Sequence, residues 1–66
     1  MVVKIVELVG VSEKSYEDAI SQAVARSSKT IKNITGVDVL GMTAAVKDGK
    51  VSEFRANVKI AFIIEG

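Results

Sequence analysis

Residues 2 to 9 read Val-Val-Lys-Ile-Val-Glu-Leu-Val, and no other run constrains the chain as tightly. Successive side chains on a strand point to opposite faces. Val2, Val6 and Leu8 then share one face and Val3, Ile5 and Val9 the other, so both faces are apolar and both call for cover. The rest of the 66-residue chain holds one amphipathic helix, which can cover only one face. The second cover has to come from another subunit. Size argues the same way, because a chain this short buries only about 60% of the surface its unfolded form exposes. Small domains often compensate with disulfides or a structural metal. Here there is no cysteine and no histidine, which removes disulfides, thiolate sites and imidazole sites together. Yet 48% of the residues are hydrophobic and only 5% aromatic, an aliphatic content suited to burial between subunits. An oligomer is expected.

The strand ends near Gly10, and residues 10 to 15 turn into a helix. Ser12 and Ser15 are both competent N-caps, and Ser15 with Asp18 has capping-box spacing. Tyr16, Ala19, Ile20, Ala23, Val24 and Ile31 fall on one stripe at helical period, with Ser27 at the intervening turn. Glu13, Glu17 and Asp18 crowd the start, and Arg26, Lys29 and Lys32 the end, which complements the helix dipole. These signals predict a helix over residues 15–32, stopped by a left-handed Asn33. That leaves Gly36 at the mouth of the following strand, not needed to end the helix.

Two further strands are predicted, residues 37–46 and 51–64, around Lys47-Asp48-Gly49-Lys50. Asp-Gly between β-prone runs is a strong hairpin signal, because both central positions tolerate positive φ. Phe54, Ala56, Val58, Ile60, Phe62 and Ile64 are expected to face the helix. Glu53, Arg55, Asn57 and Lys59 face outward, with Ala61 and Ile63 turning that outer face apolar toward its end. Tyr16 and Phe54 are read as core packing by position. The order β-α-β-β with a right-handed crossover leaves room for the third strand between the first two. The fold class is α+β: one domain over residues 1–66, an antiparallel three-stranded sheet curled around one helix. Its outer face is read as an interface carrying apolar contacts and ion pairs.

Function classes fall away quickly. Nine Lys plus Arg stand against eight Asp plus Glu, with no basic block, so nucleic acid and anionic membranes have no electrostatic footprint. The apolar runs are far too short for a membrane span, and the first residues lack a signal peptide's pattern. Asn33-Ile34-Thr35 fits a glycosylation acceptor, which without an export signal is read as chance; a cytoplasmic location is expected. No Ser-His or Cys-His pair, phosphate-binding glycine loop or acidic calcium loop occurs, so a non-enzyme is expected. Copies of one carboxylate can still converge across a symmetric interface and hold a cation.

The run "KIVELVGVSEKSYEDAI" resembles the opening of the dodecins, where a strand ending in Leu-x-Gly leads through a Ser-Glu turn into one helix. The resemblance continues through Arg26 to Thr30, through Val37-Asp38-Val39 and through "VKIAF" at Val58 to Phe62. It covers essentially the whole chain. It implies a hollow homo-dodecamer of cubic-type symmetry that binds riboflavin, FMN or FAD and stores or buffers flavin without catalysis. In such proteins a tryptophan opening the second strand stacks on the flavin ring, two rings lying between paired tryptophans of symmetry-related subunits. A glutamine in the last strand bonds the ring's polar edge. The matching positions are Gly36 and Arg55, so both characteristic side chains differ here. Loss of stacking, about 1–3 kcal/mol per ring, implies flavin binding weaker by roughly one to two decades. Arg55 has donors and no acceptor, so it can serve a carbonyl or a phosphate but not a ring N–H. Its alternative partner is the carboxylate of Glu53 or of a neighbouring subunit. The alternative function is a dodecin-like assembly that has lost tight flavin binding. It would hold a divalent cation or a phosphorylated small molecule, or be purely structural.

Overall fold

The computed structural model describes residues 1–65. Its elements are β1 (Val2–Ser12), α1 (Tyr16–Ser27), β2 (Ile34–Lys47) and β3 (Lys50–Ile64). The sheet order is β1-β3-β2 with both pairings antiparallel, so the crossover through α1 leaves β3 in the centre as the sequence predicts. The hairpin is built as expected: Asp48 (φ 51°) and Gly49 (φ 75°) both take positive φ between the paired Lys47 and Lys50. The core is Ala19 and Ala23 from α1 against Ala56, Val58 and Ile60 from β3, flanked by Val6, Leu8, Ile20, Val24 and Ile34.

The strands outrun the boundaries read from sequence. β1 continues past Gly10 to Ser12, because Gly10 does not turn the chain; it lets the strand touch the helix. A Cβ at Gly10 would overlap the Ala19 carbonyl oxygen and lie 3.1 Å from the Ala23 Cβ. Small residues on both sides allow this close approach. β2 starts three residues earlier than predicted, at Ile34, so Gly36 sits inside a strand. It pairs with Ala61 beyond a bulge at residue 35.

The helix is shorter than predicted, and ends at Ser27 instead of Lys32. The Ser28 hydroxyl donates to the Val24 carbonyl at 2.8 Å, a local bond that competes with continuing the ladder. Beyond it Thr30 and Ile31 both donate to the Ser27 carbonyl, which tightens the chain into a turn. Asn33 is left-handed as expected (φ 64°), but it reverses the chain into β2 and does not stop the helix. Its carbonyl accepts from the Ile63 N–H at 3.1 Å, which ties this reversal to β3.

The start of the helix is more elaborate than a capping box. Ser15 caps by accepting from the Asp18 N–H at 3.0 Å. Asp18 does not reach back to Ser15. Its Oδ2 accepts from the buried Ser12 hydroxyl at 2.6 Å, and the Ser12 oxygen in turn accepts from the Lys14 N–H at 2.9 Å. That short bond holds the Asp18 carboxyl below its ordinary pKa; partial desolvation opposes it, while the Gln22 amide and the Lys14 charge add to it.

Twelve helical residues span about 18 Å, whereas the fifteen of β3 span about 50 Å. The sheet therefore overhangs the helix at both ends, and the molecule measures 50 × 20 × 13 Å. This is why Phe62 is only half-buried and Ile64 is exposed, although both were expected under the helix. Tyr16 and Phe54 are likewise half-buried, stacked edge to face at 5.0 Å at the margin of the core. The radius of gyration, 13.4 Å, exceeds the ~11 Å of a compact chain of this length. Accessible surface is 4757 Å², against about 4,000 Å² for a compact monomer of this mass.

Candidate functional site

With β1 and β3 in unbroken register, the face turned away from α1 can be read row by row. Ile5, Ala61 and Gly36 form one row; Glu7, Lys59 and Asp38 the next. Val9, Asn57 and Gly41 follow, then Val11, Arg55 and Thr43. Val3 and Ile63 close the end beyond Gly36. Among the described residues no helix lies over this face, and Val3, Ile5, Val9 and Val11 on it are each about half exposed. Both faces of β1 are apolar as the sequence requires, and one of them is bare.

The two residues singled out from sequence, Gly36 and Arg55, both lie on this bare face. They are not together. Gly36 pairs with Ala61, six residues along β3 from Arg55, or about 20 Å at ~3.3 Å per residue. One chain cannot bring both to one small ligand, so any site using both has to be shared between copies. At Gly36 a Cβ would meet nothing within 4 Å, and its φ is not positive. The position is open space above a strand, with no aromatic side chain of its own.

Arg55 makes the alternative contact weighed from sequence. Its Nη2 and Nε donate to Glu53 Oε2 at 3.0 and 3.3 Å, the single ion pair among the described residues. Both side chains are well exposed, so the pair contributes at most about 1 kcal/mol. It is a contact that a ligand carbonyl can displace.

Asn57 was read from sequence only as an outward residue, and the structure gives it more. It is half-buried and lines a groove of about 280 Å³ with Glu7, Leu8, Val9 and Leu40. Leu40 is the extra residue of a bulge between Val39 and Gly41, which turns it into the groove. A bulge leaves no clear mark in sequence, so this groove was not legible there. A second groove, about 390 Å³, lies between the free edge of β1 and α1, lined by Leu8 to Val11, Ala23, Arg26 and Ser27 among others. Among the described residues no group of three or more carboxylates gathers into a metal cluster. None of their helices is long and apolar enough to cross a membrane.

A small β-α-β-β chain, with one helix on one face of a three-stranded antiparallel sheet and the other face open and partly apolar, defines the class. The chain belongs to the dodecin family, whose profile matches residues 2–65. It is 34% identical over 64 residues to a dodecin of Thermus thermophilus, covering 97% of this chain and 93% of that one. The dodecin of Streptomyces coelicolor superposes with a TM-score of 0.96 at 26% identity, over 98% of this chain and 93% of that chain. A calcium dodecin of Mycobacterium tuberculosis, a calcium-chelating antigen with a novel calcium-binding site, superposes with a TM-score of 0.87. It is 27% identical, over 98% of this chain and 93% of that chain.

Proposed function

We propose that this chain is a non-catalytic binding subunit of a homo-dodecamer that holds flavin (riboflavin, FMN or FAD) on the outer face of its sheets. The reading includes a storage or buffering role in the cytoplasm and treats residues 1–66 as one domain. The observation that carries it is the placement of Gly36 and Arg55 on one uncovered face but about 20 Å apart. Their separation makes a shared site necessary, and the bare apolar rows around them supply the contact surface. The surplus of about 700 Å² over a compact monomer is close to what one partner contributes to a standard interface.

The face suits a flat ring in shape, since Gly36 leaves open space beside Ala61 and Ile5. It provides no aromatic partner at that position, so affinity is set by apolar contact and hydrogen bonds. Binding about one to two decades weaker than at a tryptophan-bearing site follows, from the ~1–3 kcal/mol of lost stacking. The Glu7–Lys59–Asp38 row does not favour a cation, because the register sets the cationic Lys59 between the two acidic residues. Titrating riboflavin with the protein tests the reading. Quenching of flavin fluorescence that saturates at micromolar protein, unaffected by calcium, is expected. Fluorescence unchanged up to that range contradicts flavin binding and leaves the divalent-cation, phosphorylated-ligand and structural alternatives.

A further inference from the structure

We propose that Asn57, and not Arg55, is the residue that selects the ligand's polar edge, and that it selects a ring N–H flanked by carbonyls. The inference rests on the flavin reading above, in which the site is shared. Asn57 lies four residues along β3 from the Ala61 that pairs with Gly36, about 13 Å. The Asn57 that reads the ring and the Gly36 that seats it therefore come from different copies. Three observations converge on it. First, Arg55 carries no acceptor, so it cannot satisfy a ring N–H. Second, the Asn57 side chain places an acceptor and two donors side by side, and no side-chain hydrogen bond among the described residues engages it. An imide edge is the direct complement: its N–H donates to the Asn57 carbonyl while a neighbouring carbonyl accepts from the amide NH2.

Third, the setting favours such an edge. Asn57 is half-buried, so its amide is partly withdrawn from water. On its β2 side stands Gly41, where a Cβ would meet nothing within 4 Å, so no side chain shields the amide there. The apolar Val9 and Leu40 wall the groove, and the Glu7 carboxylate lines it too. No cationic residue is among those lining the groove, which argues against a phosphate there and for a neutral ring bearing an N–H. A ligand lacking that N–H leaves the Asn57 carbonyl without its partner, and such a loss costs about tenfold in affinity.

The test compares riboflavin with N3-methylriboflavin on the assembled protein and on its Asn57→Ala and Asn57→Asp variants, read by flavin fluorescence with native mass recorded for each. Methylation is expected to weaken binding to the unmodified protein about tenfold. Asn57→Ala should weaken riboflavin by a similar factor and make methylation cost nothing further. Asn57→Asp keeps an acceptor but loses the amide donor, and should fall between. Riboflavin binding unchanged in Asn57→Ala, with the methylation penalty intact, overturns the assignment while leaving the flavin reading in place. If a variant loses its native mass, the unmodified protein decides: a methylation penalty below twofold overturns the assignment. No quenching by either flavin brings down the flavin reading and this inference with it.

Discussion

At Gly36 a Cβ would meet nothing within 4 Å, whereas at Gly10 it would strike the Ala19 backbone. The two glycines are empty for opposite reasons, and they predict opposite outcomes. Gly10→Ala has to push α1 off the sheet at its closest approach, because the obstacle is backbone and cannot rotate away. Destabilisation of at least about 1–3 kcal/mol is expected, measured by chemical unfolding. A variant as stable as the parent would show the contact to be loose. Gly36→Trp meets no obstacle at its Cβ and, combined with Arg55→Gln, should leave stability within about 1 kcal/mol. It should also tighten riboflavin binding by one to two decades, from a stacking gain of about 1–3 kcal/mol. An unchanged fluorescence titration would contradict the placement of the ring at Gly36.

Among the elements, the start of α1 carries a pH-dependent contribution that can be isolated. The Ser12 hydroxyl is the largest cause holding the Asp18 carboxyl below its ordinary value. A carboxylate with a depressed folded pKa stabilises the fold above its unfolded value, near 3.8. That stability is lost as pH falls through the lower folded value. The stability advantage of the parent over Ser12→Ala should therefore be larger at pH 7 than at about pH 2.5. A difference constant across that range would remove the assigned role. Ser15 was legible as the cap, and the Asp48-Gly49 hairpin, the strand order and the central helix-facing residues of β3, Ala56, Val58 and Ile60, were legible as well. These rest on local chemistry and period. What escaped depends on contacts between elements. Gly10 read as a turn because its partner is the helix, and the stop at Ser27 was hidden by an apolar Ile31 that continues the stripe. The two site positions came from family resemblance, while Asn57 needed the register and the Leu40 bulge to be seen.

For the whole molecule, one geometric mismatch explains most of the surface: a helix of about 18 Å covers one face of a sheet almost three times longer. The uncovered face bears Val3, Ile5, Val9 and Val11, and the sheet ends bear Val46, Val51 and Ile64, all exposed. Burying such surface, at about 25 cal/mol/Å², adds to the modest stability a chain this small gains from its own few core residues. On the proposed function, stability and ligand binding are joined in one assembly, since neighbours that cover the face would also close the site. Sedimentation equilibrium of the purified protein, at micromolar concentration and neutral pH, tests that claim most directly. The account predicts a single species at twelve times the 7.0 kDa chain mass; a stable folded species at 7.0 kDa would contradict it.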